Sequence, residues 1–68
     1  MKISYDPKVD AMYIELDSGE YEVSREISDS IVVDEDKDGK ILGIEILDAT
    51  KNIRSFDPKI TKFQVQAS

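Results

Sequence analysis

Sixty-eight residues carrying 15 acids, nine bases and a net charge of −6 make one small domain, near the size at which only about 60% of the unfolded surface becomes buried. Cysteine and histidine are both absent, which removes disulfides, thiolate metal cages and the usual nucleophile–base pairs. The acidic balance argues against unaided nucleic-acid binding, and no apolar run approaches the ~18 residues of a membrane span.

Met1-Lys2-Ile3-Ser4 lacks a signal-peptide core, so the cytoplasm is the expected location. Nine Ile and five Val stand against three Leu and three Ala, a balance that suits pleated sheets better than helices. Charge is unevenly spread. Residues 1–50 hold fourteen acids and five bases (net −9), while residues 51–68 hold one acid and four bases (net +3). With so small a core, oligomerisation, most simply as a dimer, is the expected way to bury more apolar area. The excess of acid makes a basic protein the alternative partner.

In chain order, Lys2 to Tyr5 alternates polar and apolar residues until Asp6-Pro7 stops it, because proline lacks the donor a ladder needs. From Ala11 to Leu16, Met12, Ile14 and Leu16 share one face, and Asp17-Ser18-Gly19 reads as a turn. A helix starting at Pro7 is the competing reading, disfavoured by Val9, Tyr13 and Ile14. Tyr21 to Ile27 alternates again, with Tyr21, Val23, Arg25 and Ile27 on one side, and it is polar enough for an edge. The strongest local signal is Ile31 to Asp48, two apolar runs around a polar bend ending in Gly39, which predicts a β-hairpin. Gly43, between apolar neighbours, marks a bulge or a place where another backbone comes close.

Asp48 is placed to cap a short helix over residues 49–54. In the tail, Phe56-Asp57-Pro58-Lys59-Ile60 echoes Tyr5-Asp6-Pro7-Lys8-Val9, and the alternation of Phe63, Val65 and Ala67 with Lys62, Gln64 and Gln66 predicts a last strand over residues 61–66. The expected fold is α+β, mainly β: a small antiparallel meander sheet of four to six strands with one short helix in the C-terminal half. It forms a single domain over residues 1–68, in which 51–68 is a basic extension. Met12, Ile14, Leu16, Ile31, Val33, Leu42, Ile44, Ile46 and Ile53 are the expected core.

Asp34, Asp36, Asp38, Gly39 and Glu45 satisfy the D-x-D-x-D-G-x5-E spacing of a calcium-binding EF-hand loop. That loop requires flanking helices, and here both flanks read as strand. At ~3.3 Å per residue Glu45 would lie roughly 20 Å from the bend. The acidic hairpin turn is the preferred reading; a loose divalent-cation site at Asp34, Asp36 and Asp38, or metal-assisted chemistry there, is the alternative. Tyr5, Tyr13 and Tyr21 recur every eight residues and are read as cross-strand packing rather than a base-stacking platform. Lys51, Arg54, Lys59 and Lys62 read as a complement to the chain's own acids. No residue set defines an activity or a cofactor, and the reading is a non-enzymatic interaction module.

Three ordered blocks nevertheless resemble the family of unknown function DUF2283. They are Lys2-Ile3-Ser4-Tyr5-Asp6-Pro7 leading into Asp10-Ala11-Met12-Tyr13-Ile14, then residues 33–39, then Gly43-Ile44-Glu45-Ile46-Leu47-Asp48-Ala49. The resemblance covers residues 1–50. It implies a small β-rich domain with no assigned activity, in which the acidic bend belongs to a hairpin. It also implies, from what has been suggested for some relatives encoded beside small toxin-like proteins, an antitoxin-like role. It transfers no functional residue.

Overall fold

Strands form where the sequence alternates with a period of two. The computed structural model describes residues 1–60 and contains β1 (Lys2–Asp6), β2 (Ala11–Glu15), β3 (Tyr21–Glu26), β4 (Ile31–Asp36), β5 (Ile41–Ile46) and a single-turn helix, α1 (Ala49–Asn52). Every pairing is antiparallel. The α+β, mainly β class and the short C-terminal helix therefore stand as expected; the predicted strand over 61–66 lies outside the described residues. No helix among the described residues is long and apolar enough to cross a membrane.

Strand order departs from the expected meander. It runs β1-β2-β5-β4-β3, so β2 joins β5 rather than its successor in sequence. The cause is the content of the strands. Met12 and Ile14 face Ile46 and Ile44 across the ladder, whereas β3 offers Val23 and Arg25 on that side and is exposed along its whole length. The aliphatic strands take the middle and the polar one takes an edge, where its charges discourage further pairing.

Asp17-Ser18-Gly19 is consequently not a hairpin turn but part of a link to the far edge. Six Cα steps from Glu15 to Tyr21 reach up to ~20 Å, enough for three strand spacings of about 4.8 Å. The amides of Leu16 and Asp17 both donate to the Leu42 carbonyl, at 2.9 and 3.1 Å, and Gly19 rests against the Leu42 side chain. Link and strand thus cover each other.

Between β4 and β5 the bend is built by Asp36. Its Oδ1 accepts from the amides of Asp38 and Lys40, both at 2.9 Å, and Gly39 takes the left-handed conformation at φ 83°. The two Asp-Pro-Lys segments are folded alike: Asp6 Oδ1 accepts from the Lys8 amide and Asp57 Oδ1 from the Lys59 amide, each at 2.9 Å. The echo noted in sequence is therefore structural at its turns, and the aromatic rings that precede them, Tyr5 and Phe56, meet edge to face with centroids 5.2 Å apart.

Two expectations about the helix are corrected. It ends at Asn52 instead of continuing to residue 54, and Asp48 does not cap it with its side chain. Asp48 sits at the N-cap position in a left-handed conformation, φ 49°, with no side-chain bond to the helix. The acceptor comes from the β1–β2 bend instead. The Asp10 carboxylate accepts from the Thr50 amide at 3.2 and 3.3 Å and from the Thr50 hydroxyl at 2.7 Å, while the Asp10 carbonyl accepts from the Ala49 amide at 2.9 Å.

Candidate functional site

Residues opposite one another in an antiparallel ladder point to the same side, so the registers define the two faces. One face carries a row of Tyr5, Met12, Ile46 and Ile31 and a second row of Ile3, Ile14, Ile44, Val33 and Arg25. Apart from the pair Arg25 and Glu35 and the Tyr5 hydroxyl, the strand residues of this face are apolar. Glu35, two positions along β4 from Val33, accepts a 3.1 Å hydrogen bond from Arg25 Nη2 and neutralises it.

Most of the expected core, Met12, Ile14, Ile31, Val33, Ile44 and Ile46, assembles on this face, which is not enclosed, whereas Leu42 sits at the bulge of β5 against Gly19. Met12 and Leu42 are buried, and Ala49, which the sequence reading passed over, is fully so. Ile14, Ile31, Val33, Ile44, Ile46 and Ile53 are only half-buried, while Ile3 is 44% and Leu16 38% exposed. Phe56 covers Tyr5 at one corner.

The opposite face is acidic. Its rows contain Lys2, Glu15, Gly43, Asp34 and Ser24, then Ser4, Tyr13, Glu45, Val32 and Glu26, with Asp6 beside Ala11 and Tyr21 beside Asp36 at the ends. Six carboxylates stand here against one ammonium group. A bulge between Tyr21 and Val23 moves Tyr21 off the side that strict alternation assigns it and onto this one.

Across this face runs a chain of hydrogen bonds centred on Asp34. Ser24 Oγ donates to Asp34 Oδ1 at 2.7 Å and the Tyr13 phenol to Asp34 Oδ2 at 3.2 Å. With the single Ser24 proton so used, the 2.7 Å contact between Tyr21 and Ser24 has the phenol as donor. To reach Asp34, Tyr13 crosses β5 directly above Gly43, where an added Cβ would collide with its hydroxyl. The glycine admits a side chain rather than a neighbouring backbone, and the bulge that the sequence offered as the other reading lies beside it, where the β4–β5 register shifts between Asp34 and Glu35. Tyr13, Glu15, Asp17, Tyr21 and Asp34 border an open depression of about 310 Å³, unlike the enclosed, mostly apolar pockets that small ligands favour.

The three aspartates of the EF-hand spacing are in different settings. Asp34 bonds Tyr13 and Ser24, Asp36 binds turn amides, and Asp38 lies in the bend itself. Glu45 sits well along β5 opposite Val32. Among the described residues no group of three or more His, Cys, Asp or Glu converges as a metal site. The tyrosines do not form one platform, since Tyr5 lies on the aliphatic face and Tyr13 and Tyr21 on the acidic one.

Charge states follow from these contacts. Hydrogen bonds from Thr50 and Tyr5 hold the Asp10 carboxyl below the usual range, helped by Lys51. Tyr5 is raised chiefly by its hydrogen bond to Asp10, and Tyr13 by burial and then by the Asp34 charge. Asp10 was missed in sequence because its partner lies forty residues away.

A small open sheet with one aliphatic and one acidic face, and no convergent chemistry among its described residues, defines the class of this protein. The chain belongs to the family described as protein of unknown function (DUF2283), whose family model matches residues 2–49. No curated protein and no solved structure matches it.

Proposed function

We propose that this chain is a non-catalytic protein-interaction module whose working surface is the aliphatic face of the sheet. One observation carries the reading: Ile3, Ile14, Ile31, Val33, Ile44 and Ile46 share a face and none of them is buried. A sheet gains its stability by packing such a face against a second layer, and contiguous exposed apolar surface marks contact sites.

The ionisable groups speak for the same reading. Catalytic acids and bases work best with pKa values near the ambient pH. Asp10 is shifted down and Tyr5 and Tyr13 are shifted up, each away from neutrality and towards its resting form. The acidic face supplies solubility and long-range attraction to basic partners, whose contribution is to association rate more than to affinity.

The test is size-exclusion chromatography of the tagged full chain at native abundance in extracts of its own cells. The wild-type chain is expected in a complex, of copies or with another polypeptide, and Ile44→Lys is expected to elute free. Wild-type chain eluting as free monomer would refute the reading.

A further inference from the structure

Resting on that reading, we infer that the occupant of the aliphatic face is a second copy of this chain, packed face to face as a two-layer β-sandwich about a twofold axis. Charge decides between the candidate surfaces. The acidic face presents six carboxylates and one lysine, so two copies meeting there would oppose like charges at close range. The strands of the aliphatic face present one carboxylate, Glu35, and it is already matched by Arg25. A chain of net charge −6 therefore has one broad surface on which it tolerates itself.

A basic partner is drawn to the other face. The carboxylates the aliphatic one offers among the described residues are both engaged: Glu35, 14% exposed, by Arg25, and Asp10, at the corner, by Tyr5 and Thr50. What the face does complement is another pleated surface of β-branched side chains, since stacked sheets interdigitate at about 10 Å.

Size and symmetry agree. Five strands at about 4.8 Å and six residues at ~3.3 Å give a face of roughly 24 by 20 Å. With protruding side chains, this approaches the small end of specific interfaces, near 600–800 Å² per partner. A twofold contact is isologous. β5 is the central strand of the five and Ile44 lies at its middle on this face, so each Ile44 meets the other copy close to the axis. Met12, Ile14 and Val33 surround it.

The experiment is sedimentation equilibrium of the full chain from about 1 to 500 µM, with isotope-filtered NOE spectroscopy on a mixture of labelled and unlabelled chain. A monomer–dimer equilibrium and intermolecular NOEs linking Ile44, Ile14 and Val33 are expected. Ile44→Lys and Val33→Lys should each weaken association at least 100-fold, whereas Glu45→Gln, on the acidic face, should leave it within twofold. Should Ile44→Lys not fold, the wild-type NOEs decide the matter alone. A monomer throughout, whether because residues 61–68 of the same chain or a different protein takes the face, overturns the inference, as does a dimer whose NOEs lie elsewhere. A monomer in this experiment together with an Ile44-dependent heteromeric complex in cell extracts would overturn the dimer and leave the interaction-module reading standing.

Discussion

The phenol of Tyr13 occupies the space that a side chain at Gly43 would need. This is a steric relation between neighbouring strands, and it ties the choice of glycine to the cross-strand hydrogen bond that Tyr13 makes to Asp34. Gly43→Ala should cost about 1–3 kcal/mol by overpacking. In a Tyr13→Val background the same substitution should cost far less, giving a coupling energy of about 0.5–3 kcal/mol in a double-mutant cycle of urea melts. Equal costs in both backgrounds would mean that something other than Tyr13 fills the space.

Gly39 makes a contrasting case. Its Cβ would meet nothing, yet its φ is 83°. The cost of Gly39→Ala is therefore backbone strain alone, about 1–2 kcal/mol, and Gly39→Asn should recover most of it because asparagine tolerates the left-handed region. Denaturant midpoints of the two variants check the order.

Asp10 sets a pH dependence. Its folded carboxyl lies below the ordinary value, chiefly through Thr50 and Tyr5. A lowered folded pKa means that the unfolded chain takes up the proton first, so the stabilisation is complete above the ordinary value of about 3.9 and fades as pH falls through the folded one. Asp10→Asn keeps a residue that accepts the observed φ of 53° while removing the charge. It should be less stable than wild type at pH 7, with the gap closing in strong acid. A gap independent of pH would assign the role of Asp10 to backbone geometry instead.

Cation binding at the bend is checked by titrating calcium or magnesium while following amide shifts. The Asp36 Oδ1 lone pairs hold the turn amides and both Asp34 oxygens accept protein hydrogen bonds, so no saturable shift confined to residues 34–39 is expected at millimolar cation. Such a shift, if seen, would restore the cation site as the function to pursue.

What was legible in the sequence was local. Alternation over Ala11–Leu16 and Ile41–Ile46 located strands because period two reports which residues share a face. It does not report which edges meet, and β2 chose β5 because Met12 and Ile14 find better company there than β3 provides. The caps failed for the same reason: Asp48 looked suitable by proximity, while Asp10 reaches Thr50 only after the sheet has closed. Gly43 was recognised as a point of close approach, although nothing nearby in the chain identified Tyr13 as the group approaching. The core list named residues that do lie together, but patterning cannot tell whether a face acquires a cover.

The adjacency of β2 and β5 has a consequence for biosynthesis. Met12 pairs with Ile46, 34 residues further on, and at about 5–20 residues per second a ribosome needs roughly 2–7 seconds to deliver it. Until then the nascent β1–β2 hairpin has an unsatisfied row of amides and carbonyls along its inner margin. The order of the strands thus sets which margin stays unpaired longest during synthesis, and a circular permutant that synthesises β5 before β2 would shift that exposure to a different margin.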